Sequence, residues 1–307
     1  MPPSPRRSPV PSPRMEAQDW ALLVVLSLIW GASFLFARIA VLEVPPLMLV
    51  FWRVALAALA LNLFVALSSR LRFGDRRLWL NFAGMGLLNN IIPFSLIFYG
   101  QQEIGAGLAA IVNAMTPIWT ALIAHASTQD ERLSGNKLIG IVLGFTGVAV
   151  LIGSAALQGL AASALAQLAV LGATLSYGVA SVFGRRFKSV PPLQTARGQL
   201  TASTILMLPI PMIAGASAFA LPSAQAIWSV VLLAIVCTAL AYLLFFRILS
   251  RAGALNISLV TFLVPLSAIA LGIVVLGETL HLRHLMGLAI ILAGLVAIDG
   301  RLLKRKA

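Results

Sequence analysis

Three long stretches of this chain contain no Asp, Glu, Lys or Arg: Leu138 to Gly184, Gly198 to Phe246 and Ala252 to Gly277. A soluble fold has no use for such segments, because its surface must be wetted by charge. A helix needs about 20 apolar residues to cross the hydrocarbon core of a bilayer. The first two stretches are therefore each long enough for two spanning helices joined by a short uncharged turn. Composition points the same way. Charged residues make up 10% of the chain and hydrophobic residues 60%, where soluble domains carry about 25% charge. The chain is read as all-α, a polytopic membrane protein.

Ten apolar segments follow one another: Trp20–Val41, Pro46–Leu67, Leu78–Phe98, Ile104–His125 and Asn136–Ser154, then Leu165–Gly184, Leu193–Ala214, Ile227–Ile248, Leu255–Leu276 and Leu282–Gly300. Residues 1–18 form a Pro-, Ser- and Arg-rich tail without apolar periodicity, expected to be disordered. Residues 301–307 form a basic C-terminal tail. Met15 is an alternative start to Met1. With the N-terminus placed in the cytoplasm, 18 of the 22 basic residues fall in inside segments. Only Arg38 and Arg283 fall outside, and Arg53 and Arg197 lie within helices. Basic residues favour the cytoplasmic side, so both termini are expected there, in the cell (inner) membrane. The same rule accounts for the net charge of +13 without a nucleic-acid partner.

Shifting the chain by about 147 residues brings its halves into register. Trp30-Gly31 falls on Tyr177-Gly178, Pro45-Pro46-Leu47 on Pro191-Pro192-Leu193, Phe94 on Tyr242, Gly105-Ala106 on Gly253-Ala254 and Pro117 on Pro265. Glu131, Gly140 and Gly147 fall on Glu278, Gly287 and Gly294. Each half, 19–155 and 164–300, holds five helices. An odd number makes the second copy enter the membrane from the opposite side, so the repeats are inverted. Inverted repeats are a mark of secondary transporters, whose substrate sites lie near the midplane between the repeats.

On these residues the chain resembles the EamA type of drug/metabolite transporter. The resemblance is carried by Trp30-Gly31-Ala32-Ser33-Phe34, by Pro46 through Arg53, and by Asn113-Ala114-Met115-Thr116-Pro117 with Glu131-Arg132-Leu133. A second copy appears in Val264-Pro265 with Leu276-Gly277-Glu278-Thr279-Leu280. It implies ten helices in two inverted five-helix repeats, and export or exchange of small metabolites such as amino acids.

Ionisable groups at membrane depth are costly and often functional. Arg53 lies about 10 Å into the second helix at 1.5 Å per residue. It could bind a substrate carboxylate, snorkel to an interface or tie two helices together. Arg197 is read as its approximate counterpart and as an interfacial anchor. Trp30 and Tyr177 are repeat mates beside glycines, suited to lining a cavity or to packing. Tyr242 stands similarly, as does Tyr99, which also suits an interfacial aromatic belt. Asn89, Asn90 and Asn113 need hydrogen-bond partners, in substrate or in a neighbouring helix. The candidate substrate-binding set is Trp30, Arg53, Tyr99, Asn113, Tyr177 and Tyr242. Glu131 and Glu278 lie at helix ends near basic residues, which suits proton coupling less than it suits interfacial capping or ion pairing, the roles expected of them.

No cofactor or metal is expected. Cys237 is the only cysteine and lies in an apolar run. An enzyme is not expected either, since H-E-x-x-H, G-x-S-x-G and P-loop signatures are all absent. The alternative to a carrier is a membrane scaffold or sensor that transports nothing. The glycine-rich helices suit packing within one chain or between two copies in a homodimer.

Overall fold

The computed structural model describes residues 16–68, 76–127, 133–157, 161–214 and 221–299. Residues 1–15, 69–75, 128–132 with Glu131, 158–160, 215–220 and 300–307 lie outside these. The N-terminal tail expected over 1–18 ends sooner, because α1 begins at Ala17 behind a capping box of Glu16 and Asp19. Fourteen α-helices and no strand occur among the described residues. They are α1 Ala17–Val41, α2 Pro46–Ser68, α3 Arg76–Gly86, α4 Ile92–Gln101, α5 Ala106–Asn113, α6 Thr116–Ser127 and α7 Gly135–Leu157 in the first half. The second half holds α8 Ala161–Phe183, α9 Pro192–Met207, α10 Pro209–Ala214, α11 Ala224–Ala234, α12 Ala241–Ile257, α13 Val260–Leu276 and α14 Leu282–Asp299. Joined end to end where they are collinear in sequence, these make ten rods in two sets of five, the inverted repeats expected from the sequence.

Eight rods are long and apolar enough to cross a membrane. Helix α13 is apolar but shorter. The seventh rod, α9 with α10, falls below that hydropathy because Gln194, Arg197, Gln199 and Ser203 are buried on it, facing protein rather than lipid. It packs on α2 and α3.

The repeat extends to how each rod is broken. A π-helical turn at Leu87–Ile91 joins α3 to α4, and another at Ile235–Leu240 joins α11 to α12. Leu87 and Ile235 stand in the same register as Phe94 and Tyr242. Pro93 follows the first turn at the second position of α4, where its missing N–H breaks the regular ladder. Such π turns leave backbone groups and side chains re-aimed and are frequent at functional sites.

Packing also exchanges under the repeat. A methyl group on Gly31 would meet Ala268 N at 2.8 Å, and one on Gly178 would meet Thr120 N at 3.1 Å. Gly31 and Gly178 are repeat mates, as are Thr120 and Ala268. The first and ninth rods thus touch as the sixth and fourth do. The fifth and tenth rods cross directly: a methyl on Gly294 would lie 2.6 Å from Gly140 O, and one on Gly147 would lie 2.8 Å from Gly287 O. The glycine stripes are consumed by packing within one chain.

One boundary departs from the sequence reading. The ninth helix was expected from Leu255, but α12 continues to Ile257 and α13 begins at Val260. The Asn256 side chain donates to Ala252 O at 2.9 Å and Thr261 Oγ1 donates to Ser258 O at 2.7 Å, which stabilises the turn at the later position.

Candidate functional site

Arg53 is the eighth residue of α2 and is 8% exposed. Its Nε donates to Thr238 Oγ1 at 3.0 Å. Thr238 belongs to the π turn of the eighth rod, and its hydroxyl donates onward to Leu233 O at 2.8 Å. The guanidinium carbon lies 3.6 Å from the centre of the Phe94 ring and 5.8 Å from that of Phe98. An aromatic face attracts a cation through its quadrupole, by about 2 kcal/mol where water is excluded. No carboxylate pairs with Arg53 among the described residues, and its terminal nitrogens donate to no described protein acceptor. Tyr177, Tyr242 and Cys237 lie within electrostatic reach of it.

On the opposite side of the repeat axis the arrangement is polar but neutral. Asn89 Nδ2 donates to Gln199 Oε1 at 3.2 Å and to Tyr242 Oη at 3.1 Å. Asn90, fully buried, donates to Ser203 Oγ at 3.0 Å, and Ser203 Oγ donates to Gln199 O at 2.7 Å. Pro46 and Pro192 each open their helix, so the residue seven on from Pro46 is Arg53 and the residue seven on from Pro192 is Gln199. Gln199, rather than Arg197, is thus the counterpart of Arg53. The repeat mate of Asn90 is Thr238. Both halves therefore send a polar residue from the second rod of one repeat to the π turn of the other, and only one of the two carries charge.

Arg197 serves structure. Its Nε donates to Asn62 Oδ1 at 2.8 Å, and Asn62 Nδ2 donates to Thr201 Oγ1 at 3.0 Å, which ties α2 to α9. Trp30 is partly buried, its ring 5.7 Å from that of Phe245. Tyr242 stacks on Phe246 at 6.2 Å, and Phe246 meets Phe245 at 5.4 Å. Trp30, Arg53, Tyr177 and Tyr242 are thereby gathered on the inner faces of the bundle. Tyr99 is not: it is 60% exposed and its ring faces the perimeter.

Asn113 ends α5 at a two-residue break before α6. Its backbone carbonyl, which Pro117 cannot use as an i−4 acceptor, takes the Thr116 hydroxyl at 3.0 Å. Its side-chain Oδ1 is buried with no partner, and so is Trp119 Nε1 on α6. Trp119 packs edge-on against Phe145 and touches the Gly178 position beside Tyr177. Buried polar atoms without partners are rare and call for water or a ligand. Thr238, Gln199 and Trp119 were missed in the sequence. The repeat held the signal for the first two, as mates of Asn90 and Arg53.

A bundle of two inverted five-rod repeats, broken at matching points, places the chain in the inverted-repeat class of membrane proteins to which many transporters belong. The chain belongs to the EamA-like transporter family, whose pattern matches residues 20–153 and again 164–298. Its relatives include the "Uncharacterized transporter YoaV" of Bacillus subtilis, 24% identical over 274 residues that cover 89% of this chain and 94% of that one. The "Uncharacterized inner membrane transporter YedA" of Escherichia coli is 28% identical, covering 90% of this chain and 89% of its own. The "Probable amino-acid metabolite efflux pump" of Escherichia coli is 28% identical, covering 92% and 94%. A solved crystal structure superposes with a TM-score of 0.64 at 21% identity, covering 95% of this chain and 100% of that one. That likeness bears on the fold alone.

Proposed function

We propose that this transporter is a secondary carrier that moves a small organic solute bearing a carboxylate, an amino acid or related metabolite, across the inner membrane by alternating access, in the direction of export. The observation that carries the reading is Arg53: a guanidinium buried at membrane depth, held by one hydrogen bond to Thr238 and one aromatic face, with no acidic partner among the described residues. A cation at such depth costs about 2.5–3.5 kcal/mol on insertion scales. A substrate carboxylate would take the free nitrogens in a bidentate pair. Tyr177, Tyr242 and Trp30 supply flat walls for the rest of the solute, and Asn113 Oδ1 offers an unused acceptor for an ammonium. The name of the efflux-pump relative supports the solute class.

The orientation proposed is cytoplasmic termini, from the distribution of basic residues. The inverted repeats supply the mechanics. Two halves of like structure and opposite direction exchange conformations, so the site faces each side in turn. With no ATP-binding signature in the chain, the driving force is a solute or ion gradient. The test is counterflow in proteoliposomes, screening labelled amino acids and small organic acids. Saturable uptake that Arg53→Ala abolishes supports the carrier and its anion site. Uptake that the variant retains keeps the carrier and returns Arg53 to helix packing. Absence of counterflow for every solute, from folded protein, favours the scaffold or sensor.

A further inference from the structure

At the face opposite the termini, Glu278 reaches from the end of the ninth rod to the start of the fourth. Its carboxylate accepts from Ala106 N at 2.6 Å and from Gly107 N at 3.0 Å, the first two amides of α5. Those amides have no acceptor within their own helix, and the helix dipole there favours an anion. The side chain is held in place by its own backbone. Gly277 takes φ +64°, a conformation that favours glycine, and Glu278 N turns back to donate to Gly272 O at 3.0 Å.

Glycines from both rods leave room for the carboxylate. A methyl on Gly105 would lie 2.6 Å from Glu278 Cδ, one on Gly272 2.6 Å from Oε2, and one on Gly107 3.3 Å from Oε2. Three glycines on two helices and a left-handed fourth make a cradle built for one carboxylate. A cavity of about 510 Å³ lies against it, lined by Arg38, Glu43, Gln225, Thr279 and His284 as well.

We propose that Glu278 is a positioning residue for transport: the latch of the gate at this face. It joins the two repeats where α5 and α13 pack side by side. Holding α5 against α13 keeps this face closed over the central site, and releasing the two amides lets the fourth and ninth rods part. This goes beyond the assignment of substrate, because the latch would act whatever solute is carried.

Cys237 is a native reporter for the test. It is 1% exposed and precedes Thr238, the partner of Arg53. In sealed vesicles of known orientation, an impermeant anionic methanethiosulfonate is added from either face and the labelling of Cys237 is timed, with Cys237→Ser as the blank. Glu278→Gln puts an amide N–H₂ against one of the two donors. Ala106→Pro removes one donor from the other side of the contact, at a first helical position where proline is well tolerated and after Gly105, whose extended backbone suits it.

Each variant is expected to raise labelling from the face opposite the termini by about tenfold, the effect of losing one charge-assisted hydrogen bond, without a rise from the terminal face. Unchanged labelling in both variants overturns the proposal. So does an equal rise from both faces, which marks a loosened fold. Should Glu278→Gln fail to fold, Ala106→Pro decides, and failure of both assigns Glu278 to stability alone. The readout needs no substrate, so its failure is separate from failure of the central anion site.

Discussion

Arg53 owes its state to what surrounds it. A guanidinium in an apolar helix is tolerable because Thr238 accepts from Nε and Phe94 turns its face to the charge. Lysine has a point charge without the planar fork. In counterflow, Arg53→Lys should therefore retain a carrier with substrate affinity weakened roughly tenfold or more, while Arg53→Ala loses saturable uptake; equal activity of all three would remove the anion site. A second residue-scale expectation concerns Glu43, in the loop after α1. It accepts from Ser223 N and Ser223 Oγ, both at 2.6 Å, and these bonds hold its carboxyl below the usual carboxylate range. A depressed pKa contributes stability above the unfolded-state value and loses it as pH falls through the folded one. Thermal midpoints of wild type should exceed those of Glu43→Gln at neutral pH, and the gap should close in strong acid.

Among elements, the crossing of α7 and α14 leaves little room for added side-chain atoms. Lipid gives helices no hydrophobic reason to associate, so close backbone approach must supply the attraction. Gly294 and Gly147 provide it with carbonyls where side chains would otherwise stand. Gly147→Ala should cost about 1–3 kcal/mol, the usual penalty of overpacking. Gly135, in the same helix, has nothing within 4 Å of where a methyl would sit, so Gly135→Ala should be neutral or slightly stabilising. Unfolding in mixed detergent micelles compares them directly, and equal effects would mean that the crossing is not tight. The two π turns act at this scale as well. They turn Asn89, Asn90 and Thr238 toward the second rods of the opposite repeats, where a regular helix would carry them to another face.

At the scale of the whole molecule, an even number of rods puts both termini on one side, and the orientation proposed from the basic residues makes that side the cytoplasm. A fluorescent protein fused after Ala307 should fluoresce, and alkaline phosphatase fused after Glu103 or Gly277 should be active. The reverse pattern would invert the orientation and the direction assigned to the gate. The broken symmetry has a consequence at the same scale. The repeats match in backbone and in their packing glycines, yet Arg53 faces Gln199 as its counterpart. Under the alternating access proposed above, a single cation between two like halves would be presented to each side in turn without a second charge to neutralise.

The amino-acid sequence by itself determined the spans, their number, the internal duplication and its inversion. Those follow from charge-free length and from order along the chain, which are properties of one dimension. It also marked Arg53, because a charge in an apolar run is visible without coordinates. Tertiary structure decided the partners. Tyr99 and Tyr242 look alike in sequence, but one faces the perimeter and the other the centre, since the rotation of a helix is set by its neighbours. Thr238 is marked in sequence only as the repeat mate of Asn90, and its bond to Arg53 shows only once α2 is laid beside the π turn. Glu278 reads as a helix-end carboxylate, and only the meeting of α13 with α5 shows whose amides it holds. Contacts between rods far apart in sequence depend on how the two repeats dock, and the docking is a balance of glycine packing and a few buried hydrogen bonds that linear order does not encode.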